Sequence, residues 1–217
     1  LKKDYQSLLV QIRNDRQAKK SSYQFSNTKA LVDAIDKDIK VLPELKGIYQ
    51  MATSFFPLSD TVDEHLCKVA VNIQQTDLYR SSDENMKNVM KLAAYLHDVG
   101  KGPESKWNGR IRYDYADHTH DAMPMLHRIF TQEVQDISDD NIRKVCLAVV
   151  YHNIAGDCML KDRDKKEMAD IISNEEDIDL LIAMSLADVQ ATNSTWYQQM
   201  MYCSGTLKKE VMKIKGL

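Results

Sequence analysis

The chain has 217 residues, 43% of them hydrophobic, with only seven Gly and four Pro, which fits one domain with a sizeable core and leans towards helices. A net charge of −3 offers no basic field for nucleic acid or an anionic membrane, so neither partner is expected. No apolar stretch nears the roughly 20 residues that span a bilayer, residues 1–20 lack a signal-peptide core, and Cys67, Cys146, Cys158 and Cys203 show no CxxC spacing; a cytoplasmic protein with reduced, buried thiols is the expectation.

In chain order, residues 1–20 read as a charged amphipathic helix with Leu8, Leu9 and Ile12 on one side. "KKSSYQFSNT" reads as a break, and a helix follows through "KALVDAIDKDIKVL" until Pro43. "PELKGIYQMATSFF" is expected to be helical up to Pro57. Asp60 or Thr61 is placed to cap a helix near 63–76, with Leu66, Val69, Ala70 and Ile73 as its apolar stripe. Ser81 and Glu84 stand at capping-box spacing before a helix near 83–98, in which Met86, Val89, Met90 and Ala93 recur at helical period and Gly100 marks the stop.

Asn108-Gly109, flanked by alternating residues, predicts a small β-hairpin between Lys101 and His118. Its Trp107, Arg110 and Arg112 are candidates for binding substrate, by base stacking and by positive charge. Ser138 caps a helix near 139–152, with Ile142, Val145, Cys146 and Val149 leading to His152 one turn on. Ser173 and Glu176 form a second capping box for a helix near 174–192, whose stripe runs through Ile178, Leu181, Ile182 and Ser185 to Asp188. "LKKEVMKIKGL" closes the chain as a short basic amphipathic helix.

All six histidines fall between residues 65 and 152. His65, His97 and His152 sit on or near the core-facing stripes of three predicted helices, and Asp188 does so on a fourth. One such residue is ordinarily a satisfied core group. Several together each need a buried partner, and a shared cation meets all of those needs at once. Neutral imidazoles with carboxylates make a mixed nitrogen and oxygen site suited to Mn, Mg, Fe or Zn.

The order His65 … His97-Asp98 … His118 … His152 … Asp188 resembles the HD-domain metal-dependent phosphohydrolases. Within them, "TVDEHL", "LAAYLHDVGKG", "DHTHDA", "YHN" and "LLIAMSLADVQATNSTWYQQ" are most similar to the HD region of the bifunctional enzymes that uridylylate PII proteins and remove the uridylyl group. The similarity runs from about 41 to 203. It implies an all-α HD-domain helical bundle over 41–217, with 1–40 as an N-terminal helical extension or linker. It further implies that His65, His97, Asp98 and Asp188 hold one divalent cation, and that His118 and His152 hold a second which Asp98 bridges.

The resemblance points to Asp98, Lys101 and His118 as carriers of the chemistry, with the Lys101 ammonium near substrate phosphate; a helix-end charge facing the dipole is the plain alternative for Lys101. His120 is the competitor to His118, and the "DH" placement favours His118. His127 matches nothing. "PESKWNGRIRYDYA" is longer than the corresponding link in the uridylyl-removing enzymes and is similar instead to the HD regions of tRNA nucleotidyltransferases. The expected activity is therefore hydrolysis of a nucleotidyl phosphodiester, on a nucleotidylated protein or, alternatively, on free nucleotides or RNA 2′,3′-ends. The residues leave the oligomeric state open.

Overall fold

The computed structural model describes residues 1–52, 60–103 and 118–217. The chain opens with α1 (Lys2–Ala18), a short strand β1 (Phe25–Asn27), α2 (Thr28–Lys37), a 3-10 turn at Ile39–Val41 and α3 (Pro43–Lys46). The central part holds α4 (Val62–Ile73), α5 (Asp77–Ser81), α6 (Glu84–Leu96), a 3-10 turn at Val99–Lys101 and α7 (His118–Gln132). A second strand β2 (Val134–Asp136) precedes α8 (Asp139–Val150), α9 (Ile154–Leu160), α10 (Lys165–Ile171), α11 (Glu175–Gln190) and α12 (Ser194–Lys215). The fold is all-α, and the four helices expected near 63–76, 83–98, 139–152 and 174–192 are α4, α6, α8 and α11.

Capping chemistry sets where these helices begin. Thr61 and Glu64 form a reciprocal capping box on α4, with Thr61 N donating to Glu64 Oε2 at 2.9 Å. Ser138 Oγ accepts from Asn141 N at the start of α8. The other two boxes differ from expectation. Ser81 ends α5, and Asp83 caps α6 by accepting from Met86 N at 2.8 Å. Asn174 rather than Ser173 caps α11, accepting from Asp177 N. In both cases the cap one or two residues nearer the stripe wins, because a short carboxylate or amide reaches the free N–H groups of the first turn as well as a hydroxyl does.

Helix α11 lies at the centre, packed on α4, α8, α9 and α12, and buries residues from most of its circumference. Helices α4, α6 and α8 pack in sequence beside it, while α7 lies on α8 and against the 3-10 turn at Val99–Lys101. Tyr5, Leu8 and Ile12 of α1 join the same hydrophobic core through α7 and α8.

Several expectations need correction. The stretch after Pro43 is helical only to Lys46 and then turns, with Gln50 at φ 55° and its N–H held by Asp63 Oδ1 at 2.8 Å; residues 53–59 lie outside the described residues. The break after α1 contains β1, which pairs in parallel with β2. The basic C-terminal segment is not a separate helix but the end of the 22-residue α12, which Asn193 caps. Cys146 and Cys158 are buried, whereas Cys67 is exposed and Cys203 half-buried; all four are free thiols. The hairpin expected at Asn108-Gly109, with Trp107, Arg110 and Arg112, lies outside the described residues.

Candidate metal centre

The ends of α6 and α8 repeat one local device. A helix terminus leaves its last carbonyls without backbone partners. At the end of α6, Ala94 O accepts from His97 Nδ1 at 2.7 Å; at the end of α8, Val149 O accepts from His152 Nδ1, also at 2.7 Å. Each bond puts a proton on Nδ1 and aims Nε2 into the space between the helices. His97 is fully buried, and its Nε2 has no hydrogen-bond partner among the described residues.

Asp98 follows at the helix end, 2% exposed, and its two oxygens face opposite ways. Oδ2 lies 3.6 Å from His65 Nε2 and 3.4 Å from His97 Nε2. Oδ1 lies 3.4 Å from His118 Nε2 and 3.6 Å from His152 Nε2. Asp188, from α11, closes the first group: its Oδ1 accepts from His65 Nε2 at 2.8 Å and lies 3.5 Å from His97 Nε2. His118 and His152 meet in the second group with their Nε2 atoms 3.3 Å apart. The ligand-type atoms of His65, His97 and Asp98, of His97, His152 and Asp188, and of Asp98, His118 and His152 form three sets, within each of which every pair lies within 4.8 Å.

Charge in this space is heavily biased. Burial works to raise the carboxyl pKa of Asp98, but the Lys101 ammonium, whose Nζ donates to Oδ2 at 2.8 Å, and His97 outweigh it and hold Asp98 well below the usual carboxylate range. Burial opposes ionisation of Asp188 too, and the hydrogen bond from His65, together with the nearby His97, reverses it. His97 is disfavoured as a cation by burial, yet Asp98 and Asp188 raise it to about 10. His152 goes the other way: burial first, and then the neighbouring His97 and His118 imidazoles, push it down to about 3. Two ionised carboxylates thus face the imidazoles within one buried cluster, and a divalent cation would displace the proton that they draw onto His97.

The donor set fits a divalent cation. A buried His97 Nε2 with no hydrogen-bond partner among the described residues, the imidazoles of His65, His118 and His152 gathered beside it and two ionised carboxylates are the nitrogen and oxygen donors that such ions take. Of the residues marked in the sequence, His65, His97, Asp98, His118, His152 and Asp188 come together, with Lys101 at the edge. His120 does not join them; it points to the other side of α7 and meets Asp4 at 2.8 Å. His127 pairs with Asp15.

Two contributors escaped the sequence reading. Ser185, taken for part of an apolar stripe, is buried and donates from Oγ to His152 O at 2.7 Å while accepting from Gly156 N, so it fixes the loop that carries His152. The hydroxyl inside an otherwise apolar stripe was the available signal. Gly100, read as a helix stop, permits close approach instead: a Cβ there would stand 1.8 Å from His118 O.

No curated protein and no solved structure matches the chain. The HD-domain family model matches residues 62–190, more than half of the chain, from the first residue of α4 to the last of α11. The match takes in all four helices that converge on the cluster, and α7 with them; the chain belongs to the HD-domain family, whose metal-dependent phosphohydrolase chemistry the histidine and aspartate cluster is equipped to run.

Proposed function

We propose that this HD domain hydrolyses a nucleotidyl phosphodiester with two divalent cations, and that its substrate is a protein carrying a uridylyl-like group. The observation that carries the reading is the orientation of Asp98, with one oxygen towards His65 and His97 and the other towards His118 and His152. A carboxylate so disposed suits the bridge of a two-cation centre. His65, His97 and Asp188 would complete one position, and His118 and His152 the other. When bound, the cations supply Lewis acidity, lowering the pKa of water towards neutrality and taking up charge that develops on phosphate oxygens.

The protein's own residues have the remaining tasks. Ala94 O and Val149 O each hold an imidazole by its Nδ1–H and so aim its Nε2 into the cluster. Lys101, with 18% of its side chain exposed at the edge of the cluster, favours the ionised form of Asp98 and would meet a substrate phosphate. The stretches "TVDEHL" and "LADVQATN" favour a uridylyl-removing activity over other phosphohydrolase reactions.

The test is a screen of manganese-loaded protein against a uridylylated protein, 2′,3′-cyclic nucleotides, deoxynucleoside triphosphates and bis-p-nitrophenyl phosphate. Release of UMP from the modified protein, together with slow turnover of the generic diester, is expected. Asp98→Asn should lose bound cations and lower kcat/KM by more than the about 10–100-fold typical of losing an outer-shell partner. Full turnover by Asp98→Asn would overturn the catalytic assignment. Activity confined to free nucleotides or cyclic ends would move the substrate assignment to a stand-alone nucleotidase and leave the centre as described.

A further inference from the structure

Helix α1 lies outside the matched residues 62–190, yet it is fastened to α7, which carries His118, and to α8, which leads into His152. At its first turn, Asp4 Oδ2 accepts from His120 Nε2 at 2.8 Å, two residues along α7 from His118. The next residue, Tyr5, is 5% exposed and sets its ring edge-on against Tyr151, with centroids 5.4 Å apart at 82°; Tyr151 immediately precedes His152. Farther along, Asp15 pairs with His127. At the end of the helix, the Arg16 guanidinium donates to the carbonyls of Phe130, Val134 and Gln135, which caps the far end of α7. Helix α7 is thus pinned at both ends to one rigid rod, and the Tyr5 ring braces the residue before His152.

From this geometry we propose that α1 is a positioning element for one half of the centre: Asp4 and Tyr5 hold His118 and His152 at the spacing that a second cation requires. His65, His97 and Asp188 come from α4, α6 and α11, whereas the packing of α1 is on α7 and α8. The first cation position is therefore set without α1. The inference rests on the two-cation reading above. It assigns residues 1–18 to the working HD unit rather than to a linker.

The experiment uses the full chain with two readouts, one of which needs no cation. In the metal-free protein, the imidazole Cε1–H resonances, assigned by single histidine substitutions, should shift for His118 and His152 in Tyr5→Leu and in Asp4→Ala. Those of His65 and His97 should stay in place, and Tyr5→Phe should restore the wild-type positions. In manganese titrations one of the two affinities should fall about tenfold in both variants while the other is unchanged, the size expected when a supporting partner is lost. Asp4 and His120 are exposed, so Asp4→Ala carries the test even where Tyr5→Leu fails to fold. Unmoved His118 and His152 signals with two unchanged affinities would overturn the positioning role. Shifted signals in a protein that takes up only one cation would leave that role standing and remove the two-cation reading.

Discussion

Ala94 and Val149 decide how two imidazoles face the centre, and they do it with backbone carbonyls that any residue could supply. The cost of burying His97 and His152 is offset because each Nδ1–H is satisfied three residues back along its own helix. Tyr151, between Val149 and His152, is the exception to such satisfaction. Its ring is buried, its hydroxyl has no hydrogen-bond partner among the described residues, and burial pushes its pKa up to about 12. Leaving a buried hydroxyl unpaired costs about 1–3 kcal/mol. Tyr151→Phe should therefore raise the unfolding free energy by about 1 kcal/mol in urea titrations, with cation binding unchanged because the ring that meets Tyr5 is kept. A loss of stability instead would mean that the hydroxyl is satisfied in solution.

Among the elements, the 3-10 turn at Val99–Lys101 and the start of α7 pack closely beside the centre. A Cβ on Gly100 would stand 1.8 Å from His118 O and 2.9 Å from Ala122 N, both backbone atoms that cannot swing aside. Gly100→Ala should push the first turn of α7 away and carry His118 with it. We expect a loss of about 3 kcal/mol, at the upper end of typical overpacking, seen in the thermal midpoint, and weakened uptake of the second cation. The sequence showed that a glycine belonged there but not why, since close approach between residues 18 apart leaves no local pattern. Helices α4, α6 and α8 were legible because each carries one continuous apolar stripe, and α11 because a capping signal precedes a long apolar run. The short helices α5, α9 and α10, at five and seven residues, were not, being too brief to show a period. Strands β1 and β2 are three residues each and pair across more than 100 positions, beyond the reach of any local signal.

Across the whole molecule, the centre depends on α8 and α11 keeping a fixed relation, since they bring His152 and Asp188. Arg143 of α8 ties them, donating in two-pronged fashion to Asp177 of α11 at 2.8 and 3.0 Å. The Asp177 side chain is fully buried and also accepts from Ser173 N at 2.7 Å. This pair sits towards the first turns of both helices, while His152 and Asp188 lie towards their ends. It should thus govern stability more than chemistry. Arg143→Met strands a buried carboxylate, which costs about 3–5 kcal/mol. At about 2–4 °C per kcal/mol for a chain of this size, the thermal midpoint should fall by roughly 6–20 °C. Below that midpoint kcat should stay near the wild-type value, because no group at the cluster has changed. Adding Asp177→Leu to Arg143→Met should recover much of the loss, since an apolar pair no longer strands a charge; the Ser173 N–H left behind limits the recovery. If the double variant were no more stable than Arg143→Met, the stranded carboxylate would not be the source of the cost, and the guanidinium's own packing between α8 and α11 would be.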